Sequence, residues 1–125
     1  FKGSCLCRAV PFTVTSDLKA PNACHCRACR KVTGHYLVSM DVAADQLPVT
    51  GEDNLRWCHS SAKVRRGFCL NCGSTLFWGP LFGDWTAVAM GAFDASTKTR
   101  MELHIHVSEK GDYYEITDGL PRNPQ

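Results

Sequence analysis

Seven of the eight cysteines in this 125-residue chain fall into three tight groups: Cys5-x-Cys7, Cys24-x-Cys26-x-x-Cys29 and Cys69-x-x-Cys72, with Cys58 apart from them. Thiols this close together pair as disulfides, ligate a metal or do chemistry, so they constrain the fold more than any apolar pattern does. No charged-then-apolar leader opens the chain, so a reducing, cytoplasmic location is the expectation, and it disfavours disulfides.

Cys69 and Cys72 flank a two-residue turn that presents both sulfurs to one ion, with Gly73 positioned to take the positive φ that closes it. Backbone N–H groups in such a turn can point at the thiolates. The half-site needs two more ligands. If Cys5 and Cys7 lie on a strand, their Cα atoms are about 6.6 Å apart on one face. Their sulfurs can then lean to the roughly 3.8 Å separation that tetrahedral zinc requires. A Cys5/Cys7/Cys69/Cys72 site would staple the amino-terminal strand to the middle of the chain.

Cys24, Cys26 and Cys29 remain. Three protein ligands leave a fourth tetrahedral position open, which is what separates a catalytic zinc from a structural one. Three thiolates suit a soft incoming thiol, which a metal deprotonates at neutral pH. Arg27, Arg30 and Lys31 are the candidate contacts for an anionic thiol. His25, between two of the ligands, is the candidate proton carrier, with His59 a second choice and His35 a weaker one. Three other arrangements stay open on spacing alone: disulfides, a second structural zinc completed by one of the five histidines, and an iron–sulfur cluster.

The composition, 44% apolar and 21% charged with net charge +2, predicts one globular domain over residues 1–125. It argues against a disordered or coiled-coil chain and against a general nucleic-acid binder, and no apolar run reaches the ~20 residues of a membrane span. Alternation predicts strands over residues 6–14, 36–42, 74–78, 86–90, 101–107 and 113–116, and a hairpin from 55–58 and 63–68. Helical signals are confined to residues 26–32, ending at Gly34, and to a turn at 43–46. The class is therefore mainly β. His104 and His106 are expected to face solvent. The aromatics Trp57, Trp78, Trp85, Phe77, Phe82 and Phe93 are expected chiefly in the core, with one or two of them lining the open zinc, and Arg65 and Arg66 beside the four-thiolate site. Cys58 is expected as a half-buried strand thiol, although Arg56-Trp57-Cys58-His59 resembles the Arg-x-Cys-x-Asn segment of methionine sulfoxide reductase B, with Ser60 in place of Asn.

Gly3-Ser4-Cys5-Leu6-Cys7, Cys24-His25-Cys26-Arg27-Ala28-Cys29-Arg30 and Arg66-Gly67-Phe68-Cys69-Leu70-Asn71-Cys72-Gly73-Ser74 carry a wider resemblance. So do Gly91-Ala92-Phe93-Asp94, His104-Ile105 and Asp118-Gly119-Leu120-Pro121. Together they resemble the glutathione-dependent formaldehyde-activating enzyme and centromere protein V family over nearly the whole chain. The resemblance implies a mainly-β, zinc-stapled Mss4-like domain with short helical turns. It implies two zinc ions per chain, one structural on Cys5, Cys7, Cys69 and Cys72 and one labile on Cys24, Cys26 and Cys29, where glutathione binds. The implied activity is a carbon–sulfur lyase reaction that makes or cleaves S-(hydroxymethyl)glutathione, so the expected partners are a small thiol and an aldehyde, with no nucleic acid and no membrane. Two competing readings are a non-catalytic zinc-binding interaction module of the same fold and a thiol redox enzyme using Cys58.

Overall fold

The computed structural model describes residues Phe1–Gln125. Strands β1 (Lys2–Ser4) and β2 (Pro11–Thr13) pair antiparallel as a small separate sheet. The main sheet contains β3 (Asn22–Cys24), β4 (Leu37–Ala43), β5 (Leu55–His59), β6 (Val64–Cys69), β7 (Thr75–Pro80), β8 (Trp85–Ala89) and β9 (Leu103–Ile105). Its order is β5-β6-β7-β8-β4-β3-β9, and only the β3–β9 pair is parallel. One helix, α1 (Arg27–Thr33), links β3 to β4. No helix is long and apolar enough to cross a membrane.

The mainly-β expectation holds, and the hairpin of β5 and β6 lies where alternation predicted it. Three local readings are corrected. Cys5 and Cys7 are not on a strand: β1 stops at Ser4, and a turn with Arg8 at φ 67° brings the chain back so that the Cys5 amide bonds Val10 O. A segment with this much turn chemistry cannot hold an extended i, i+2 pair, so the sulfurs converge by a second tight turn. Residues 113–116 form no strand; they are anchored by side chains. The strand Asn22–Cys24 was not anticipated, because three residues after a proline carry too little alternation to read.

The helix begins and ends as its residues require. Cys26 is the N-cap, its sulfur accepting from the Cys29 amide at 3.3 Å, and the Gly34 amide closes the last turn on Arg30 O.

The main sheet uses its two faces differently. Residues opposite one another across antiparallel strands share a face. One such row runs Trp57, Gly67, Phe77, Val88 and Met40, and it packs on β2 through Phe12, whose ring meets Phe77 edge-on at 5.4 Å. A side chain at Gly67 would press on both Phe77 and Trp57 at 3.2 Å, and the two rings stack 6.0 Å apart beside it. The core is completed by Val10, Val14, Val42 and Leu76, all essentially inaccessible. The adjacent row, Cys58, Arg66, Trp78, Ala87 and Asp41, lies on the opposite face, which carries no second sheet.

Leu76 is fully buried in this core, so Leu76→Ala leaves a void and is expected to lower stability by about 2–5 kcal/mol, read as a lower midpoint in urea unfolding.

Candidate metal centres and the adjoining cavity

Two sets of sulfurs converge, Cys5/Cys7/Cys69/Cys72 and Cys24/Cys26/Cys29, and within each set all Sγ atoms lie within 4.8 Å of one another. All eight cysteines are free thiols.

The first set joins the turn after β1 to the turn between β6 and β7. Cys5 Sγ lies 3.6 Å from Cys7 Sγ, and Cys7 Sγ lies 3.7 Å from Cys69 Sγ. Those spacings match the roughly 3.8 Å edge of a tetrahedron of thiolates around zinc. N–H donors already point inward: Val10 N to Cys5 Sγ at 3.3 Å, Cys72 N to Cys69 Sγ at 3.4 Å and Asn71 Nδ2 to Cys7 Sγ at 3.3 Å. Gly73 sits at φ 79° and returns its amide to Cys69 O at 2.8 Å, closing the second turn as expected. The Ser74 hydroxyl holds the Cys72 thiol down to about 5, whereas burial pushes Cys5 up to about 11. The donor set, its spacing and its inward N–H groups fit a structural zinc.

The second set sits where β3 turns into α1. Cys24 closes the strand, Cys26 caps the helix and Cys29 lies one turn along it, buried. A hydrogen bond from the Cys24 thiol, and then the Arg66 guanidinium, hold Cys29 down to about 5 against the opposing effect of burial. Cys24, donating to Cys29, is pushed well above the usual thiol range. Three soft donors without a fourth also fit zinc, with one position left for a ligand from outside.

That position faces a cavity of about 400 Å³ on the uncovered face of the sheet. Cys24, Cys26 and Cys29 line one end. Arg66, Ser60, Asn22 and Asp41 supply polar groups, and Trp78, Trp85, Val64 and Ile105 form apolar walls. Its volume lies in the range of small-molecule sites, about 300–1,000 Å³. Arg66 is 93% buried by its 7% exposure, and it donates from Nη1 to Cys29 Sγ at 3.5 Å and from Nε to Ser60 Oγ at 3.2 Å.

Several residues lie elsewhere than expected. His25 does not line the cavity. Along β3, Asn22 and Cys24 face the cavity, so the next residue turns its ring to the other side of the sheet. There His25 and His104, both buried, join a chain of hydrogen bonds. Asp118 Oδ2 accepts from His104 Nε2 at 2.8 Å, His104 Nδ1 faces His25 Nε2 at 2.9 Å, and His25 Nδ1 meets the Tyr114 hydroxyl. Asp118 requires the proton on His104 Nε2. His104 Nδ1 then accepts from His25 Nε2–H, and His25 Nδ1 accepts from Tyr114, so two neutral imidazoles satisfy every link. Burial, followed by the neighbouring His104, pushes the His25 pKa down to about 4. His104 is thus 3% exposed rather than solvent-facing.

Arg27 and Lys31 are exposed on α1, and Arg30 donates from Nε to Glu109 O at 2.9 Å; none of the three lines the cavity. Arg66, expected beside the four-thiolate site, serves the three-thiolate one instead. Arg65 lies over the Trp57 ring at 3.9 Å. His59 and Cys58 are exposed on the edge strand β5 and do not line the cavity. Phe77 is in the core with Trp57 and Phe93 packed against it, Trp78 and Trp85 are the two that line the cavity, and Phe82 alone is exposed rather than in the core. Asn22 and Asp41 were not singled out and His106 was expected to face solvent, yet all three line the cavity. Only cross-strand register reveals the first two, and His106 reaches it because the chain leaves β9 at φ 54°.

A family model described as glutathione-dependent formaldehyde-activating enzyme matches residues 1–109. An uncharacterized lyase of Schizosaccharomyces pombe is 30% identical over 120 residues, which cover 94% of this chain and 86% of that protein. A Rhodobacter sphaeroides protein of known crystal structure shares the fold at TM-score 0.64 and 21% identity, covering 77% of this chain and 90% of its own.

Two measurements check these assignments. Metal analysis with circular dichroism is expected to show that Cys24→Ser stays folded and loses one of two zinc ions, whereas Cys69→Ser, fully buried in the core, fails to fold. Nitrogen-detected NMR is expected to find His25 neutral at pH 5.5, where an ordinary histidine is mostly protonated. The expectation follows because a depressed pKa keeps the ring uncharged until the pH falls toward about 4.

Proposed function

The chain belongs to the glutathione-dependent formaldehyde-activating enzyme family, and from that premise we propose a zinc-dependent carbon–sulfur lyase that makes or cleaves the adduct of a thiol and a small aldehyde. At family level it is a lyase of this type, in keeping with the lyase name of its Schizosaccharomyces pombe relative. The observation that carries the finer reading is the three-sulfur cluster opening on a cavity whose wall holds a buried guanidinium.

Cys24, Cys26 and Cys29 would hold the labile zinc, and Cys5, Cys7, Cys69 and Cys72 the structural one. A zinc ion in the open site supplies Lewis acidity that favours the thiolate of an incoming thiol such as glutathione. The chain's own residues do the rest. Arg66 offsets the negative charge gathered at Cys29 and so limits the repulsion an incoming thiolate meets. The Trp78 and Trp85 walls exclude water and hold the aldehyde beside the sulfur. In the forward direction the sulfur attacks the carbonyl carbon, a C–S bond forms, and the former carbonyl oxygen takes up the proton the thiol gave up. No oxidant or reductant is needed. His106 lines the cavity, with Nδ1 3.8 Å from Glu109 Oε2, and it is the imidazole placed to carry that proton, a role the sequence suggested for His25. Arg27, Arg30 and Lys31 do not line the cavity and are left as charges of α1 rather than as thiol contacts.

The same cavity favours an enzyme over a non-catalytic module, because a purely structural site has no use for a void of this size beside its sulfurs. Cys58, exposed with no second sulfur beside it, gives the redox reading no partner thiol. Free thiols throughout suit a cytoplasmic setting. The partners proposed are a thiol and an aldehyde.

Exchange NMR with labelled formaldehyde and glutathione tests this. The zinc-loaded chain is expected to accelerate S-(hydroxymethyl)glutathione formation over the uncatalysed rate. Cys24→Ser and Cys29→Ser are expected to abolish the acceleration, Cys58→Ser to leave it, and His106→Ala to reduce it about 10²-fold. A rate with the zinc-loaded chain equal to the uncatalysed one overturns the reading.

A further inference from the structure

A sheet edge presents a row of unpaired N–H and C=O groups, and this fold covers three of its four edges. Beside β9, His104 N donates to Pro121 O at 3.0 Å and Asn123 N to His104 O at 2.8 Å. β1 is bridged to Phe93, with Asp94 N donating to Lys2 O at 3.0 Å. β2 is bridged to Val49, with Thr13 N on Pro48 O and Thr50 N on Pro11 O, both at 3.1 Å. The fourth edge, the outer side of β5, has no neighbour.

The pairing of β5 with β6 fixes which of its groups are free. Leu70 N donates to Asn54 O at 2.7 Å and Ser60 N to Val64 O at 3.1 Å. Hydrogen-bonded pairs alternate along an antiparallel ladder, so Arg56–Phe68 and Cys58–Arg66 are the bonded pairs between those two. Leu55, Trp57 and His59 therefore turn their main-chain groups outward. The Leu55 amide is spent on Glu52 O. That leaves the N–H groups of Trp57 and His59 and the carbonyls of all three. The strand has no Pro, no Gly and no bulge to blunt this edge.

The two ends of β5 also carry opposite charges. Glu52 and Asp53 are exposed in the turn before it, and Lys63 is exposed in the turn after it. The ion pairs of the chain are His104–Asp118 and His106–Glu109, so these end charges have no counterpart within it.

We propose that β5 is a self-complementary interface, along which a second copy of this chain pairs antiparallel about a two-fold axis at Trp57. That register uses all five residues of the strand. Trp57 exchanges both main-chain bonds with its counterpart, and His59 N–H meets the Leu55 carbonyl at either end. It sets Arg56 opposite Cys58, so like charges do not meet across the seam. It also lays the acidic turn of each copy beside the basic turn of the other. An axis at Cys58 pairs only residues 57–59, and an axis at Arg56 opposes two guanidinium groups. The interface is independent of the thiol reading above, since it needs no ligand in the cavity.

Sedimentation of the reduced, zinc-loaded full chain tests this. The average mass is expected to rise with concentration from 13.8 kDa toward twice that value, and to fall again as salt screens the end charges. His59→Pro removes an outward N–H and no bond to β6, and is expected to remain monomeric. Glu52→Lys combined with Asp53→Lys is expected to weaken self-association about tenfold or more, and Lys63→Glu alone to weaken it as well. Mixing those two variants is expected to restore a dimer, because each then offers the charge the other lacks. Arg56→Cys reads the register: opposed Cα atoms about 4.5 Å apart accept a disulfide. Mild oxidation is expected to join the introduced thiol to Cys58 of the second copy, while the wild type forms no Cys58–Cys58 bond. If His59→Pro does not fold, the charge variants on exposed side chains decide. A chain of 13.8 kDa at every concentration up to about 1 mM overturns the proposal. So does a dimer that the charge variants leave unchanged, or a wild-type Cys58–Cys58 disulfide.

Discussion

Four sulfurs converge within 4.8 Å of one another, and the fold is arranged around that convergence. Cys5 and Cys69 are at once members of the cluster and among the most buried residues of the core. The cluster joins the turn after β1 to the turn between β6 and β7, across 62 residues between Cys7 and Cys69. Through those two turns it sets the β1–β2 hairpin against the main sheet, where Phe12 packs on Phe77 and Phe93. A sheet of strands three to seven residues long has little cooperative pairing of its own, and a metal that binds only the folded arrangement adds its binding free energy to folding. The core and the cluster therefore share residues, and a metal bound at the cluster would stabilise both.

The division of the sulfurs into four and three was legible in the sequence because short spacing within a turn or a helical cap leaves few geometries. Cys69-x-x-Cys72 closes on Gly73 whatever surrounds it, and Cys26-x-x-Cys29 reads equally as an N-cap and the first turn of a helix. The mainly-β class was legible in the alternation and in the shortage of helical signals. What alternation could not supply was pairing. Arg66 lies three residues from Cys69, so nearness in sequence assigned it to the four-sulfur site. Its strand neighbours instead put it on the opposite face, within reach of Cys29. The same limit hid Asn22 and Asp41, which become cavity residues only through β3–β4 and β4–β8 register. His25 was misjudged for a local reason: between two ligands of one strand end, a side chain must point away from them.

The side to which His25 points gives the carboxy-terminal segment its purpose. Residues 111–121 contain no strand or helix, so their placement rests on side chains and on single backbone contacts. Asp118, His104, His25 and Tyr114 form one directional chain of hydrogen bonds through the back of β3. Tyr36 and His35 pack beside it, the His25 and Tyr36 rings at 4.7 Å. Each neutral imidazole has one donor and one acceptor, so the chain is satisfied in a single sense and disfavours a shifted register. It therefore fixes the strand end from which Cys24 and Cys26 project, although no member of it reaches the cavity.

Charge then accounts for the difference between the two sulfur sets. The four-sulfur set is balanced locally by N–H donors from Val10, Cys72 and Asn71. The three-sulfur set has backbone donors too, from Cys29 to Cys26 and from Cys26 to Cys24, and in addition a full positive charge from Arg66. A neutral donor can do no more than stabilise a thiolate already present. A guanidinium with unused N–H groups lowers the cost of bringing in one more anion, because its field extends over the open position as well as over Cys29. Burying it carries a desolvation cost that the negative charge at Cys29 offsets in part. The uncovered sheet face, the three-sulfur set and the buried Arg66 thus meet at one cavity, and it is charge that separates this set from the four-sulfur one.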